Sequence, residues 1–275
     1  MIIFLIFAIY LLSYQEFLYE AKGDGTSGSF RIFHSDSRGI FYNPASLIYA
    51  KDAIFINYSP GYFEINELGI DFSSLSFSKK LSKNTFTIGY KNLDVSDIYL
   101  QRSLIIGYAR EIFGIGFGIS LKNIVKKYTL DLRTKNDPVF EKSNERSVFS
   151  FDIGILKEYK RVVVSAFILD ANRPDVGLKK TEKILQKSGV FFGRRFGNLL
   201  VEIGVLKSEN IRFKFGAEMS RELEGLKFYL RTGGDISRIS FGFGFEFKKA
   251  IFDFAFQYPF EFGKILYEIE AGVRF

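Results

Sequence analysis

The sequence predicts an all-β fold: a closed antiparallel transmembrane β-barrel of about 14 strands, with an N-terminal plug segment that contains a short helix. Three observations predict it. Apolar and polar residues alternate through many short segments, and the connections between these segments alternate between short and long. The chain also holds 33 Phe and 15 Tyr among 275 residues, while 25% of its residues are charged. This composition is too polar for a bundle of membrane helices, but it suits a barrel in which only alternate residues face lipid.

An apolar run from Met1 to Leu12 opens the chain. It is too short to span a bilayer comfortably and has the length of a signal-peptide core. We therefore expect residues 1–21 to be a signal peptide, with Ala21 at its cleavage site. An uncleaved anchor is the alternative, because no Lys or Arg precedes the run. Residues 22–51 are then an N-terminal plug or periplasmic segment, and residues 52–275 are the barrel.

A short helix is predicted within the plug segment, from Pro44 to about Tyr49. Asn43 precedes it, and an Asn side chain can cap the free N–H groups at a helix start. Pro44 suits the first helical position, where no N–H is needed.

Fourteen strands account for the rest of the pattern. In the clearest of them, Phe241, Phe243 and Phe245 alternate with Gly242 and Gly244. The second strand loses this alternation at Ser73–Ser74, where we expect a β-bulge. The predicted strands are residues 52–59, 67–78, 84–91, 101–110, 113–122, 147–156, 160–169, 188–195, 199–206, 211–220, 225–232, 236–247, 250–258 and 264–275.

The connections between these strands are sorted by length. The even-numbered ones are short, and the two longest, residues 123–146 and 170–187, are odd-numbered. A barrel with both termini on one side has short turns at that end and longer loops at the other. The alternative, a soluble all-β domain, gives no reason for this sorting. Residues 178–187 are expected to form a short basic amphipathic helix. The net charge of +7 fits either a solvated surface or an anionic headgroup layer.

The last strand places a row of apolar side chains on one face, and the sequence ends on an aromatic residue. This ending resembles the C-terminal insertion signal of bacterial outer-membrane β-barrels. The resemblance implies that the barrel-assembly machinery recognises this strand. The residues of the implied signal are Tyr267, Ile269, Val273 and Phe275.

The plug segment resembles the N-terminal region of the FadL-like and PorV/PorQ-like outer-membrane barrels, through an Asn-Pro-Ala-x-Leu sequence just before the first strand. In those families this region lies inside a 14-stranded barrel or at its periplasmic mouth. The resemblance implies an outer-membrane location and a plugging or gating role. The matching residues are Arg38, Gly39, Asn43, Pro44, Ala45 and Leu47.

The inward faces of the predicted strands divide into two kinds. Strands three to six carry small residues, which either relieve curvature or leave room for the helix of the plug segment. The later strands carry charges of both signs, which either pair with one another or line a polar path for a solute. The predicted lumen-lining residues are Gly114, Gly116, Gly118, Asp152, Arg212, Lys214, Glu218, Arg231, Glu246 and Asp253.

Motifs for chemistry are scarce. The chain has no cysteine, and its one histidine, His34, lies in the plug segment. A membrane-barrel hydrolase would need a histidine near the rim with Ser or a carboxylate. Gly114, Gly116 and Gly118 alternate on one strand with no following helix, unlike a nucleotide-binding loop. We expect no enzyme activity, no cofactor or metal, and no nucleic-acid partner.

Two functions remain open at this point, besides a merely structural barrel. One is FadL-like passive uptake of a hydrophobic or amphipathic small molecule across the outer membrane. The alternative is a PorV-like barrel that acts in protein secretion or surface attachment by binding exported proteins. Outer-membrane lipids are expected partners in either case. An apolar pocket under the loops, or a gap in the side wall, would favour uptake.

Overall fold

The computed structural model describes residues 20–34, 36–60, 69–96, 98–132, 134, 137–261 and 263–275. The predicted signal-peptide core lies outside these residues. No helix among them is long and apolar enough to cross a membrane. The elements are α1 (Ala21–Asp24), the 3₁₀ helices η1 (Ser37–Phe41), η2 (Pro44–Tyr49) and η3 (Pro138–Phe140), and the strands β1 (Ala53–Ser59), β2 (Ile70–Leu81), β3 (Asn84–Val95), β4 (Tyr99–Ile112), β5 (Ile115–Tyr128), β6 (Glu145–Tyr159), β7 (Val162–Leu169), β8 (Lys187–Phe196), β9 (Leu199–Lys207), β10 (Ile211–Leu223), β11 (Leu226–Asp235), β12 (Arg238–Phe247), β13 (Ala250–Pro259) and β14 (Leu266–Arg274).

The strands form one closed barrel. Each pairs antiparallel with its neighbours in sequence, and β1 pairs with β14, with Ala53 opposite Arg274. Closure gives every strand a paired neighbour on both sides, which is the arrangement that suits a sheet in a medium without water. The predicted closed antiparallel barrel of 14 strands is therefore confirmed.

The two ends of the barrel differ in their connections. At one end, the turn end, all six connections have two residues, such as Phe113–Gly114 between β4 and β5. Phe113 and Gly114 both have positive φ, at 52° and 72°, as a tight hairpin turn with the right-handed twist of the strands requires. The opposite, loop end carries the long connections at residues 129–144 and 170–186.

The outer surface of the barrel is apolar because the strands keep a strict period of two. Ile106, Ile119 and Phe241 are each more than half exposed, while the two sequence neighbours of each face inward. Cross-strand aromatic pairs cover the surface further, as where Phe243 stacks on Phe254 with ring centroids 4.8 Å apart. This outer face is the apolar band that the alternation predicts.

The expected bulge in β2 is wrong. Its pairing with β1 and β3 continues without interruption through Ser73 and Ser74. The alternation of polarity changes there because the inner face itself changes character. Ile70 and Phe72 point inward at the loop end, whereas Ser74 and Ser76 point inward further down the same strand. Both apolar side chains pack in a cluster inside the barrel.

The basic helix expected at residues 178–187 is also absent. This stretch is irregular, and a single β-bridge joins Asp175 to Lys183. The Asp175 carboxylate accepts the N–H groups of Gly177 and Glu182, at 3.0 and 2.8 Å. These contacts hold the loop in a turn, and a helix of so few residues has little stability of its own in water.

Candidate functional site

The N-terminal segment, residues 20–50, lies inside the barrel. Its described residues from Glu20 to Leu47 are buried, apart from the half-buried Phe33. Its helix η2 lies near the turn end, against Gly116 and Gly118, whereas Thr26 and Ser27 reach Gly233 and Ser240 near the loop ends of β11 and β12. The interior of a barrel of this size is larger than wall side chains alone readily fill.

Glycines in the wall make room for this segment. A Cβ on Gly118 would clash with the backbone of Pro44 and Ala45, and a Cβ on Gly154 would clash with the Asn43 side chain. Three further wall glycines, on β3, β4 and β5, face side chains of the same segment. These are Gly89 against Phe41, Gly107 against Ile40 and Leu47, and Gly116 against Ile48.

The helix of the segment is the 3₁₀ helix η2, and Asn43 begins it. Asn43 Oδ1 accepts the Ala45 N–H at 3.0 Å, which satisfies one of the free donors at the helix start. Asn43 Nδ2 donates to Arg31 O and to Ser165 Oγ on β7, at 3.0 and 3.1 Å. One side chain thus caps the helix and ties it to the wall.

Leu47 and Gly39 explain how η1 and η2 pack together. Leu47 is fully buried with Ile40, and Ile105 of β4 completes the contact. A Cβ on Gly39 would meet Ser46 Oγ and the His34 side chain, so the two helices cross closely at that point.

Glu202 on β9 is a second anchor, and it is absent from the predicted site residues. Its buried carboxylate accepts the backbone N–H groups of Arg31, Ile32 and Phe33, at 2.8, 3.2 and 3.0 Å. These donors come from an irregular stretch and have no strand partners. Glu202 is the one inward charge on β9, which was the signal available in the sequence.

Arg38 is the centre of the buried charges. Its guanidinium binds the Asp36 and Asp253 carboxylates, each at 2.8 Å, and also contacts Glu270. Glu20 lies 3.7 Å from the same group. Arg38 stacks on the Phe55 ring with its guanidinium carbon 3.9 Å from the ring centroid. Residues from the segment and from β1, β13 and β14 therefore meet at one cation.

The remaining predicted lumen charges are mostly paired. Arg231 binds Glu218 and Asp253, at 2.7 and 2.6 Å, so that Arg38 and Arg231 share Asp253. The other pairs are Lys214 with Asp235 at 3.0 Å, Glu246 with Arg274 at 2.9 Å, and Asp152 with Lys122 at 2.6 Å. Arg212 points inward near the loop end and is half-buried.

One predicted lumen-lining residue lies elsewhere. Gly114 does not line the lumen, because it forms the β4–β5 turn and is exposed. Among the predicted inward carboxylates, Arg38 binds Asp253. Asp152 and Glu246 lie against Lys122 and Arg274 instead.

His34 is buried and stacks on Tyr42 with ring centroids 5.1 Å apart. Its Nε2 lies 2.8 Å from the Phe30 carbonyl oxygen. Burial lowers the pKa of His34 to about 3, because the charged imidazolium loses its hydration. The histidine is therefore neutral, and its contacts position the segment.

Above the N-terminal segment, the inner wall at the loop end is partly apolar. One buried cluster joins the loop ends of β2, β3, β4 and β14. Its members are Ile70, Phe72, Leu93, Val95, Tyr99 and Leu266, with Ile98 and Tyr128 packed against them.

A separate depression of about 470 Å³ lies on the outer face across β6–β9. Ile155, Ile168 and Val190 line it, and Gly189 contributes a stretch of wall without a side chain. Phe167 also borders it and packs inside the barrel against Phe191. Apolar side chains therefore lie on both faces of the wall here.

The predicted insertion-signal residues lie on the outer face of β14. Ile269, Val273 and Phe275 are exposed, and Tyr267 is half-buried. Phe275 stacks on Phe77 of β2 with ring centroids 6.4 Å apart. Among the described residues, no group of three His, Cys, Asp or Glu side chains is arranged to hold a metal ion.

Comparison with known proteins finds similarity in structure alone. No family model matches the sequence, and no curated protein sequence matches it either. The fold is similar to that of the CymD monoaromatic hydrocarbon channel, at a TM-score of 0.67 and 12% identity over 94% of this chain and 97% of that one. It is also similar to the P. putida toluene transporter TodX (0.66, 9%, 94% and 98%) and the Ralstonia pickettii toluene transporter TbuX (0.64, 11%, 94% and 98%). These are barrels of the FadL-like kind, and nothing in the comparisons supports the PorV/PorQ-like part of the resemblance.

Proposed function

We propose that this protein is an outer-membrane channel for passive uptake of a hydrophobic or amphipathic small molecule, and that it is not an enzyme. The observation that carries the proposal is the division of the barrel interior. The loop end offers an apolar cluster that includes Phe72, Leu93 and Tyr99. The rest of the described interior is occupied by the N-terminal segment, which extends from η2 at the turn end to Ser27 near the loop ends of β11 and β12. Similarity in fold to three hydrocarbon and toluene channels supports the same function.

In this proposal the N-terminal segment is a plug that gates the interior. A solute bound at the apolar cluster is separated from the turn end by buried, paired charges around Arg38. Passage of an apolar molecule through this network is unfavourable, because it would separate the paired charges of the network from their partners. Passage therefore requires η2 and its neighbours to shift against the glycine wall.

Uptake of toluene into cells of a Gram-negative host, with glucose as the polar comparison solute, tests the channel function. We expect faster toluene uptake with the protein than with an empty vector, and no change for glucose. Phe72→Asp places a charge in the apolar cluster and should reduce toluene uptake severalfold while leaving the amount of barrel unchanged. Equal toluene uptake with and without the protein would exclude the proposal.

The gate is tested separately with Gly116→Phe and Pro44→Gly. Gly116 faces Ile48, so a Phe there pushes on η2 from the wall, and Pro44→Gly loosens the start of the helix. If the segment gates the interior, both variants change solute flux while the barrel still assembles. If it only fills the interior, they lower thermal stability and leave flux unchanged.

A further inference from the structure

The outward-facing side chains at the turn end carry an uneven charge. On each of five even-numbered strands, one cation points outward two residues before the exposed apolar or aromatic residue that ends the outer face of that strand. All five are exposed. These residues, which we call the turn-end rim, are Lys79 on β2, Arg110 on β4, Lys157 on β6, Arg194 on β8 and Arg221 on β10.

Acidic residues do not balance this rim. Asp52 is the one outward acid at the turn end among the described residues, and it pairs with Lys79 at 2.5 Å. Arg110, Lys157, Arg194 and Arg221 have no carboxylate within ion-pair distance in the described part of the chain. Four cations thus have no carboxylate partner among the residues that the structure describes.

The loop end differs in this respect. Its outward-facing strand residues are three cations and three acids, and one pair, Lys127 and Glu145, lies directly opposite across β5 and β6. The complete set is Arg102, Lys127, Lys207, Asp71, Asp94 and Glu145. The excess of positive charge on the outer face therefore belongs to the turn end alone.

We propose that the turn-end rim binds the anionic headgroups of phospholipids in the leaflet that it meets. This rests on the membrane location proposed above. The aliphatic stems of Lys and Arg can lie along the apolar band while their charged ends reach the headgroup layer. Arg194 lies beside the outward aromatic residue of its strand, with its guanidinium carbon 4.6 Å from the Phe196 ring centroid.

The spacing favours lipid over a protein partner. Neighbouring rim cations are two strands apart, which is about 10 Å at the usual distance between strands. They extend from β2 to β10 around the circumference, and they do not form one compact patch. Separate small anions that surround the barrel match this layout, whereas a folded protein would contact only part of it.

Electron paramagnetic resonance of spin-labelled lipids tests the proposal on the refolded barrel in phosphatidylcholine bilayers. The measured quantity is the association of labelled phosphatidylglycerol with the protein relative to labelled phosphatidylcholine. We expect a preference of about fivefold for phosphatidylglycerol, which is the effect of one cation near an anionic surface. The preference should weaken at 1 M salt, where screening acts within about 3 Å.

The test variant changes Arg110, Lys157, Arg194 and Arg221 to Gln. Its matched control changes Lys83, Arg161, Arg195 and Lys249 to Gln, which removes the same charge from turns and from the inner mouth of the same end. We expect the test variant to lose the preference and the control to keep it.

An equal loss in both variants would overturn the proposal in favour of a diffuse field from the whole turn end. No preference in the unaltered protein would also overturn it. A barrel that does not insert into bilayers, judged by the absence of a heat-modifiable band, would instead count against the membrane location. The two failures are therefore distinguishable.

Discussion

Single residues decide how the N-terminal segment is held. Gly118 allows the backbone of Pro44 and Ala45 to lie against β5. The Asn43 side chain donates hydrogen bonds to the Arg31 carbonyl and to Ser165, and the Glu202 carboxylate accepts the Arg31 N–H. These backbone groups of the segment pair with no strand. Arg38 joins four acidic side chains from three parts of the chain. Most of these contacts are buried, so each missing partner leaves a polar group without water.

We predict that Gly118→Ala loosens the segment. The new methyl group meets backbone atoms, which cannot rotate away, and overpacking of this kind costs about 1–3 kcal/mol. The readout is the urea midpoint of the refolded barrel, with protease cleavage of residues 20–50 as a second measurement. Gly116→Ala is the matched control, because its methyl group meets only the Ile48 side chain. An equal effect of both changes would contradict the prediction.

We predict that Arg38→Met destabilises the barrel by about 3–5 kcal/mol, because buried Glu270 loses the cation that contacts it, and Asp36 and Asp253 each lose one of their two cations. Adding Asp36→Asn and Glu270→Gln to Arg38→Met should recover part of the loss, since both changes remove uncompensated charge. Arg212→Gln, at a half-buried position, should change stability by no more than about 0.5 kcal/mol. Thermal unfolding of the four proteins measures these differences. No recovery in the triple variant would be evidence against the charge argument.

At the level of elements, the strands were predictable and the polar contacts were not. The period of two and the sorting of the connections by length located all 14 strands, because lipid-facing and inward-facing positions differ in polarity along most of each strand. The alternation gave a wrong prediction of a bulge in β2, because Ile70 and Phe72 there are apolar and face inward. Alternation reports a difference between faces and does not reveal which face is inside.

The residues of the site illustrate the same limit. Pro44 and Asn43 were recognisable because helix starts have local signals. The partners of Arg38 were not, because Asp253 and Glu270 are 215 and 232 residues away in sequence. Their proximity follows from the register of β13 and β14, which the sequence pattern does not specify.

The final strand carries a prediction at this scale. Phe275→Ser should reduce the amount of heat-modifiable barrel in the outer membrane severalfold, because it removes the aromatic end of the predicted insertion signal. Phe247→Ser is the control, since Phe247 is also outward and exposed at the turn end, on β12. Normal assembly of the Phe275 variant, or equal loss in both, would show that β14 carries no special signal.

The whole molecule has a defined polarity from end to end. Its turn end has six two-residue connections and an outward basic rim, and its loop end has the two longest of the described connections and a balanced outward charge. Inside the barrel, the apolar cluster lies at the loop end and η2 lies near the turn end. A passive channel with this polarity would receive solute at the loop end.

We predict that the loop end faces the outside of the cell. The chain has no cysteine, so single cysteines can be introduced as labels. Val139→Cys and Lys180→Cys, in the two long loops, should react with a membrane-impermeant maleimide on intact cells. Lys83→Cys and Arg161→Cys, in the turns, should react only after the outer membrane is permeabilised. The reverse labelling pattern would show that the turn end, and not the loop end, faces the outside of the cell.

The contacts of Arg38 have a kinetic consequence. Ser37 binds Ser76 on β2, while Arg38 binds β13 and β14, so adjacent residues bridge the two sides of the junction where the barrel closes. The part of the segment that is synthesised early therefore acquires its partners only when the last strands are in place. Contacts between residues so distant in sequence form slowly. The closing of the β1–β14 seam and the docking of the segment should accordingly be the final, coupled step of folding.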